Sequence, residues 1–276
     1  MHLVEANGAK IPAIGFGTWE LRGGQAQAMV EAALEMGYRH IDTAQMYGNE
    51  AAVGAALRAS GLPRETIFLT TKIWPEQFRT GCLQRAAEES LRRLGVEQVD
   101  LLLLHWPNPD VPLRETMGAL NEVVERGQTR HAGVSNFTTR LLDEAISLSA
   151  TKLVANQVEY HPYLDQGRVL AKLRASGMAL TAYCPLARGR FFAEPVVEAI
   201  AKRHGRTPGQ IGLRWLVQQE GVIAIPRSSK PDHARLNLEV FDFTLSEEEM
   251  RQIAGLARPD GRMVAAAGFA PQWDAA

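Results

Sequence analysis

Short β-branched or leucine-rich runs alternate with longer stretches that carry apolar residues at helical spacing, and the alternation persists from about residue 14 to about residue 240. Runs at 14–17, 40–43, 67–72, 99–105, 129–135, 153–159, 179–183 and 222–226 read as strands. Segments 25–36, 50–60, 83–94, 113–126, 138–148, 168–175, 196–204 and 208–219 read as helices long enough to cross back over a sheet. Eight such units in 276 residues fit an α/β fold of the (β/α)8 TIM barrel kind, which takes about 250 residues. Gly37, Gly61, Gly95, Gly127 and Gly177 each follow a helical run, where a left-handed cap favours glycine. Ahead of the first strand, residues 3–5 and 10–12 flank Asn7-Gly8, a dipeptide that favours a tight turn, so an N-terminal β-hairpin is expected to plug the barrel bottom. No linker, repeat or low-complexity tract divides the chain. Residues 1–276 therefore read as one barrel domain with a C-terminal extra helix and tail. The competing doubly wound sheet would place Gly-x-Gly-x-x-Gly after its first strand, and Gly15-Phe16-Gly17-Thr18-Trp19-Glu20 lacks the third glycine.

Side chains that close the strands of such a barrel meet on one rim, where its active sites are built. Here that rim would carry Asp42, Lys72, His105, Ser135, Asn136, Asn156, Gln157, Glu159, Tyr183, Arg227 and Ser228, with Tyr47 five residues past Asp42 in the following loop. Any one of these is commonly a solvated charge or a structural histidine. Together, an acid, a cation, an imidazole and a phenol suit proton transfer to a carbonyl oxygen, where a cation lowers the phenol from its ordinary pKa of about 10. Other chemistries lack their motifs: His-Glu-x-x-His, Cys-x-x-Cys, Gly-x-Ser-x-Gly and the phosphate-binding Gly-x-x-x-x-Gly-Lys-Ser/Thr are all missing, and no metal is expected. Cys82 and Cys184 are too few for a disulfide framework and fit a reduced cytoplasm. With 30 basic and 31 acidic side chains and no run of like charge, nothing steers the chain toward nucleic acid or an anionic membrane. The longest apolar run, residues 101–104, is far short of the ~20 residues that span a bilayer. A small-molecule substrate and redox chemistry with an organic cofactor are left as the leading reading.

These residues resemble the aldo-keto reductase superfamily. Residues 37–50 match its first signature, Gly133-Val134-Ser135-Asn136-Phe137 its second and Ile225-Pro226-Arg227-Ser228 its third. Lys72 lies in a matching Thr70-Thr71-Lys72-Ile73-Trp74 strand and His105 follows Leu101–Leu104 as in the family's histidine strand. Within the superfamily, Asp42 to Tyr47, the short segment after His105 and the ending Ala270-Pro271-Gln272-Trp273-Asp274 resemble the 2,5-diketo-D-gluconate reductase B branch. The resemblance implies that hydride passes from a reduced nicotinamide to a carbonyl carbon while Tyr47 protonates the oxygen. Lys72, paired with Asp42, would lower the pKa of Tyr47, and His105 would orient the carbonyl. It further implies that Ser135, Asn136 and Gln157 hold the carboxamide, that Tyr183 stacks on the ring and that Leu186 lies along the pyrophosphate, with Thr18 and Asp42 as further contacts. Arg227, Ser228, Ser229, His233 and Asn237 would serve the adenosine end. His233 stands where the family has a second arginine and Leu236 where it has an acid, so NADP(H) is the expected cofactor with secondary use of NAD(H).

Trp19, Trp74 and Trp106 directly follow strands and are expected to wall a substrate pocket around Tyr47 and His105. Arg188 and Arg190 suit the cofactor pyrophosphate, a substrate carboxylate or plain solvation equally. The family's mobile loops correspond to 108–112, 187–195 and the tail after Arg258; the first is short, which fits an open site for methylglyoxal, 2,5-diketo-D-gluconate or similar small aldehydes and ketones. Trp273 either folds over the pocket or anchors the tail. A cytoplasmic monomer is expected. A reading of a different class is a non-catalytic cofactor-binding regulatory or scaffold protein on the same fold, against which the intact set Asp42, Tyr47, Lys72 and His105 argues.

Overall fold

The computed structural model describes residues 2–274. The chain opens with an antiparallel hairpin, β1 (Leu3–Ala6) and β2 (Ala9–Pro12), whose turn residues Asn7 and Gly8 both take positive φ, 45° and 92°. That pair of left-handed residues is what a two-residue turn matched to strand twist requires. Asn7 Nδ2 donates to Leu153 O at 2.7 Å and to Ser176 O at 3.0 Å, which ties the hairpin to the chain entering the later strands. Ala6, Ala9 and Ile11 join Leu101, Leu103, Ala155, Ala179 and Ile223 in one buried apolar cluster, so the hairpin closes the floor.

Eight parallel strands follow in strict sequence order: β3 (Phe16–Gly17), β4 (His40–Asp42), β5 (Phe68–Ile73), β6 (Val99–Leu104), β7 (Thr129–Ser135), β8 (Ala155–Glu159), β9 (Ala179–Tyr183) and β10 (Val222–Ala224). A parallel bridge between Ile14 and Ala224, with Gly15 N donating to Ala224 O at 2.9 Å and Gly17 N to Pro226 O at 3.1 Å, joins last strand to first and closes the barrel. Strands β5 and β6 are buried at every position, which explains why neither alternates apolar with exposed residues: Leu101–Leu104 is continuously apolar, and Thr70, Thr71 and Lys72 of β5 are buried as well.

Helices α1 (Gly23–Glu35), α2 (Glu50–Ala59), α3 (Cys82–Leu94), α4 (Leu113–Glu125), α5 (Thr139–Leu148) and α6 (Gly167–Ala175) each carry the chain back between strands, and α7 (Pro195–His204) and α8 (Pro208–Val217) share the last crossing. The five glycines expected to end helices all have positive φ. After β10 come two helices where the sequence reading expected one: α9 (Pro231–Leu238), pinned to the barrel by Tyr38 Oη donating to Ala234 O at 2.8 Å, and α10 (Glu247–Ala254). Ser246 and Glu249 cap each other's backbone at the start of α10, a reciprocal box that stabilises a short polar helix. Among the described residues no helix is long and apolar enough to cross a membrane.

Candidate active site

β4 ends at Asp42, after which a single helical turn, Gln45–Tyr47, closes on Gly48 at φ 65° and returns the Tyr47 ring over the rim. Lys72, in the neighbouring strand β5, is fully buried. Its ammonium donates to Asp42 Oδ1 at 2.5 Å, to Thr43 O at 2.8 Å and to Tyr47 Oη at 3.3 Å. All three of its protons are thereby placed. The other Asp42 oxygen accepts from Gln157 Nε2 of β8 at 2.7 Å. His105 lies one residue past β6, with its ring edge-on to Tyr47 at 5.7 Å and perpendicular to Trp74 at 5.2 Å between centroids.

Burial lowers the Lys72 ammonium from its ordinary value while the Asp42 carboxylate holds it up. Burial, and then the charge of Asp42, raise the Tyr47 phenol well above 10. This corrects the expected lowering of Tyr47 by Lys72: desolvation acts against the phenolate, the Asp42 charge adds to it, and the Lys72 cation, paired with Asp42 at 2.5 Å, does not outweigh them. Burial, followed by the Lys72 charge, pushes His105 well below 6.5, so its imidazole is neutral at neutral pH. His105 Nδ1 is buried with no hydrogen-bond partner among the described residues. The rim thus presents a phenol that keeps its proton, a cation behind it and a neutral imidazole with capacity for a hydrogen bond.

A second set of expected residues is joined to the first. Ser135 Oγ donates to Gln157 O at 2.8 Å, and Asn136, in the left-handed region at φ 63°, donates through Nδ2 to His105 O at 3.0 Å and to Ser135 Oγ at 3.1 Å. Tyr183 Oη donates to Asn136 Oδ1 at 2.8 Å. Thr18 donates to Asp42 O through both its amide and its hydroxyl, each at 3.0 Å. Asn156, expected at a strand end, is instead the second residue of β8 and donates to Phe137 O at 2.9 Å, holding the loop after β7.

A cavity of about 450 Å³ opens on these groups; its wall includes Thr18, Trp19, Asp42, Tyr47, His105, Trp106, Asn136, Gln157, Tyr183, Leu186 and Arg227. Trp19 packs edge-on against Tyr47 at 4.8 Å. Trp74 is set behind His105 and against Phe269, and Ser228, Ser229, His233 and Asn237 fall outside the wall, in and before α9. Ser228 is buried and exchanges hydrogen bonds with the Lys230 backbone, whereas Ser229 and His233 are exposed. Among the described residues no group of His, Cys, Asp and Glu is placed to hold a metal ion.

The sequence model of the Aldo/keto reductase family matches residues 13–258. The chain belongs to this family. Methylglyoxal reductase DkgB of Escherichia coli O157:H7 is 42% identical over 267 residues, covering 96% of this chain and 99% of that protein. The crystal structure of a protein provisionally named 2,5-diketo-D-gluconic acid reductase B has 50% identity and a TM-score of 0.98, covering 100% of this chain and 98% of that one. An aldo-keto reductase of Bombyx mori, solved in complex with NADP, has 31% identity and a TM-score of 0.89, with 96% and 95% of the two chains covered. The chain is accordingly an oxidoreductase acting on carbonyl groups.

In this aldo-keto reductase the tail is built into the site. Glu159, fully buried at the end of β8, accepts from Met263 N at 2.8 Å and Val264 N at 3.0 Å, with His161 Nε2 at 2.9 Å. Val264 is thereby fixed on the cavity wall. Trp273 meets Trp106 at 6.1 Å, lies 3.5 Å beneath the Arg262 guanidinium and is followed by Asp274, which accepts from Thr139 N and Oγ1 at 2.9 and 2.7 Å. Trp273 therefore anchors the tail behind Trp106, and it lines a separate cavity of about 570 Å³ whose wall includes none of Asp42, Tyr47, Lys72 and His105. Sequence reasoning missed Glu20, Met46, Cys184 and Val264 as wall residues. Glu20 carried a signal, since it follows Trp19 in the loop after β3; Val264 had none.

Proposed function

We propose that the protein reduces small aldehydes and ketones with NADP(H), using Tyr47 as general acid. The observation that carries this reading is the Lys72 ammonium shared between Asp42 Oδ1 at 2.5 Å and Tyr47 Oη at 3.3 Å on a cavity that also holds a neutral His105. The residues present fit a nicotinamide dinucleotide: the wall offers an aromatic face at Tyr183, amides at Asn136 and Gln157, and guanidinium groups at Arg188 and Arg227. Ser135, Asn136 and Gln157 would hold the carboxamide, Leu186 and Arg188 the pyrophosphate, and Arg227, with Ser228, Ser229, His233 and Asn237 beyond the cavity wall, the adenosine 2′-phosphate. A bound reduced nicotinamide supplies the hydride to the carbonyl carbon.

His105 orients the substrate by hydrogen bonding to the carbonyl oxygen, and its lack of charge keeps it from competing as a proton source. Tyr47 Oη transfers its proton to that oxygen as negative charge develops there. The phenolate left behind faces the Lys72 ammonium, whose attraction stabilises it until a solvent proton restores the phenol. That attraction offsets part of the cost that burial and the Asp42 charge set on the phenolate, and the balance still leaves the resting phenol above its ordinary pKa. Trp19, Trp106, Met46 and Val264 give the cavity apolar walls, and the relatives' names favour methylglyoxal and 2,5-diketo-D-gluconate as the first substrates to try.

The test is loss of NADPH absorbance on adding methylglyoxal. Tyr47→Phe is expected to lower kcat about 10³-fold, within the range of general acid catalysis, with NADPH affinity changed less than about threefold. Wild-type protein that binds NADPH and reduces no carbonyl in a broad panel would refute the reading.

A further inference from the structure

The loop that follows β3 and the chain that leaves β10 meet on the wall of the cavity. Arg227 Nη2 donates to Glu20 Oε2 at 2.7 Å, and its Nε donates to Trp19 O at 3.0 Å. Two of the five guanidinium donors are thus turned onto the neighbouring loop before any ligand arrives. That loop is braced from beneath: Asn49, nearly fully buried, donates to Thr18 O at 2.8 Å and Leu21 O at 3.0 Å, and is itself held by Thr43 Oγ1 at 2.7 Å. Glu20 sits at φ 63°, in a region that side-chain-bearing residues avoid, inside the span that Asn49 holds at both ends. Its place beside Arg227 is a built feature of the fold.

We infer that Glu20 is a specificity-determining residue for the cofactor: by engaging Arg227 and setting a carboxylate beside it, Glu20 weakens the hold on a 2′-phosphate and narrows the gap between NADPH and NADH. The inference rests on the assignment of Arg227 to the 2′-phosphate made above. A 2′-phosphate has to displace the Glu20 oxygen from Nη2 and then share its surroundings with a like charge. A 2′-hydroxyl is neutral and meets neither cost. Glu20 therefore acts on one cofactor and leaves the other alone, without touching the reacting atoms.

The experiment is a titration of NADPH and of NADH into the wild type, Glu20→Gln, Arg227→Ala and the double variant, read by quenching of tryptophan fluorescence, since Trp19 and Trp106 line the cavity. Glu20→Gln keeps the side chain's shape and removes its charge. It is expected to lower the NADPH Kd about fivefold, the scale of one exposed ion pair, and to leave the NADH Kd within about twofold. In the Arg227→Ala background the gain should shrink, because the guanidinium that Glu20 withholds is gone. An unchanged NADPH Kd in Glu20→Gln, or equal tightening of both dinucleotides, overturns the role of Glu20 while leaving the reductase reading intact. Wild-type protein that binds neither dinucleotide overturns both.

Discussion

At one stretch of the cavity wall Asp42 and, behind it, Lys72 are closed off from solvent, and at another Arg227 and Glu20 meet with 35% and 57% of their side chains exposed. Both are ion pairs between neighbouring strand ends, at 2.5 Å and 2.7 Å. They differ in what happens when one partner is lost. A charge left alone in the interior has no water to turn to and costs about 3–5 kcal/mol, whereas an exposed pair is worth about 0–1 kcal/mol because water and salt replace the partner. The pair proposed to support proton delivery is therefore locked by its own desolvation, while the pair proposed to meet the cofactor stays adjustable, and substitutions there need not endanger the fold.

Lys72→Met should show the largest effect. It strands Asp42 in the barrel, and the expected destabilisation of about 3 kcal/mol would be read as a lower urea midpoint together with loss of turnover. The double variant Asp42→Asn/Lys72→Met should recover much of that stability and none of the activity. If Lys72→Met costs less than about 1 kcal/mol, the two pairs are energetically alike and the contrast collapses. Glu159→Gln comes next. Its carboxylate receives Met263 N, Val264 N and His161, so losing the charge should loosen Val264 on the wall and raise KM for methylglyoxal about tenfold, the scale of a charge-assisted hydrogen bond, with kcat within about threefold. A fall in kcat at constant KM would instead place Glu159 in the chemistry.

The same contrast explains what could be read from the sequence. Asp42, Lys72 and His105 were legible because a short β-branched or leucine-rich run that ends in a polar residue marks a strand end, and strand ends of a parallel barrel converge. Tyr47 was legible from its place in the loop just beyond. The direction of the Tyr47 shift was not, since it depends on burial and then on the Asp42 charge, whose balance against Lys72 only the folded site supplies. The tail was opaque for another reason: Glu159 binds it through backbone N–H groups, which every residue but proline has, so no side-chain type betrays the contact. Arg227 was named, yet its Glu20 partner lies 207 positions away and meets it only because the barrel closes between Ile14 and Ala224. By contrast, Ser246 and Glu249 form a box that three-residue spacing announces, and α10 was within reach of the sequence.

Arg227→Ala should separate recognition from stability more gently. NADPH Kd is expected to rise about tenfold, as for a lost charge-assisted pair to a phosphate, while the urea midpoint moves by less than about 1 kcal/mol equivalent. A large loss of stability would mean that the pair with Glu20 and Trp19 helps hold the barrel closure, and the adjustable stretch of wall would then be structural too.

The smallest expected effect is on the pH profile of kcat. Tyr47 stays protonated to well above 10 and His105 stays neutral to well below 6.5, so neither changes state between about pH 7 and pH 9 and reduction should run at a constant kcat there. Stability need not be as flat on the acid side. His105 and His40 are both lowered by burial, so the unfolded chain binds more protons than the folded one below about pH 6.5, and stability rises with pH up to that point and is lost as pH falls beneath it. Measuring kcat and the urea midpoint together from about pH 5.5 to pH 9 should therefore show the midpoint falling on the acid side while kcat of the folded fraction holds. An inflection in kcat near 6.5 at constant stability would show His105 titrating as an ordinary exposed histidine, which would remove the desolvation that sets the Tyr47 and His105 side of the cavity apart from the Arg227 pair.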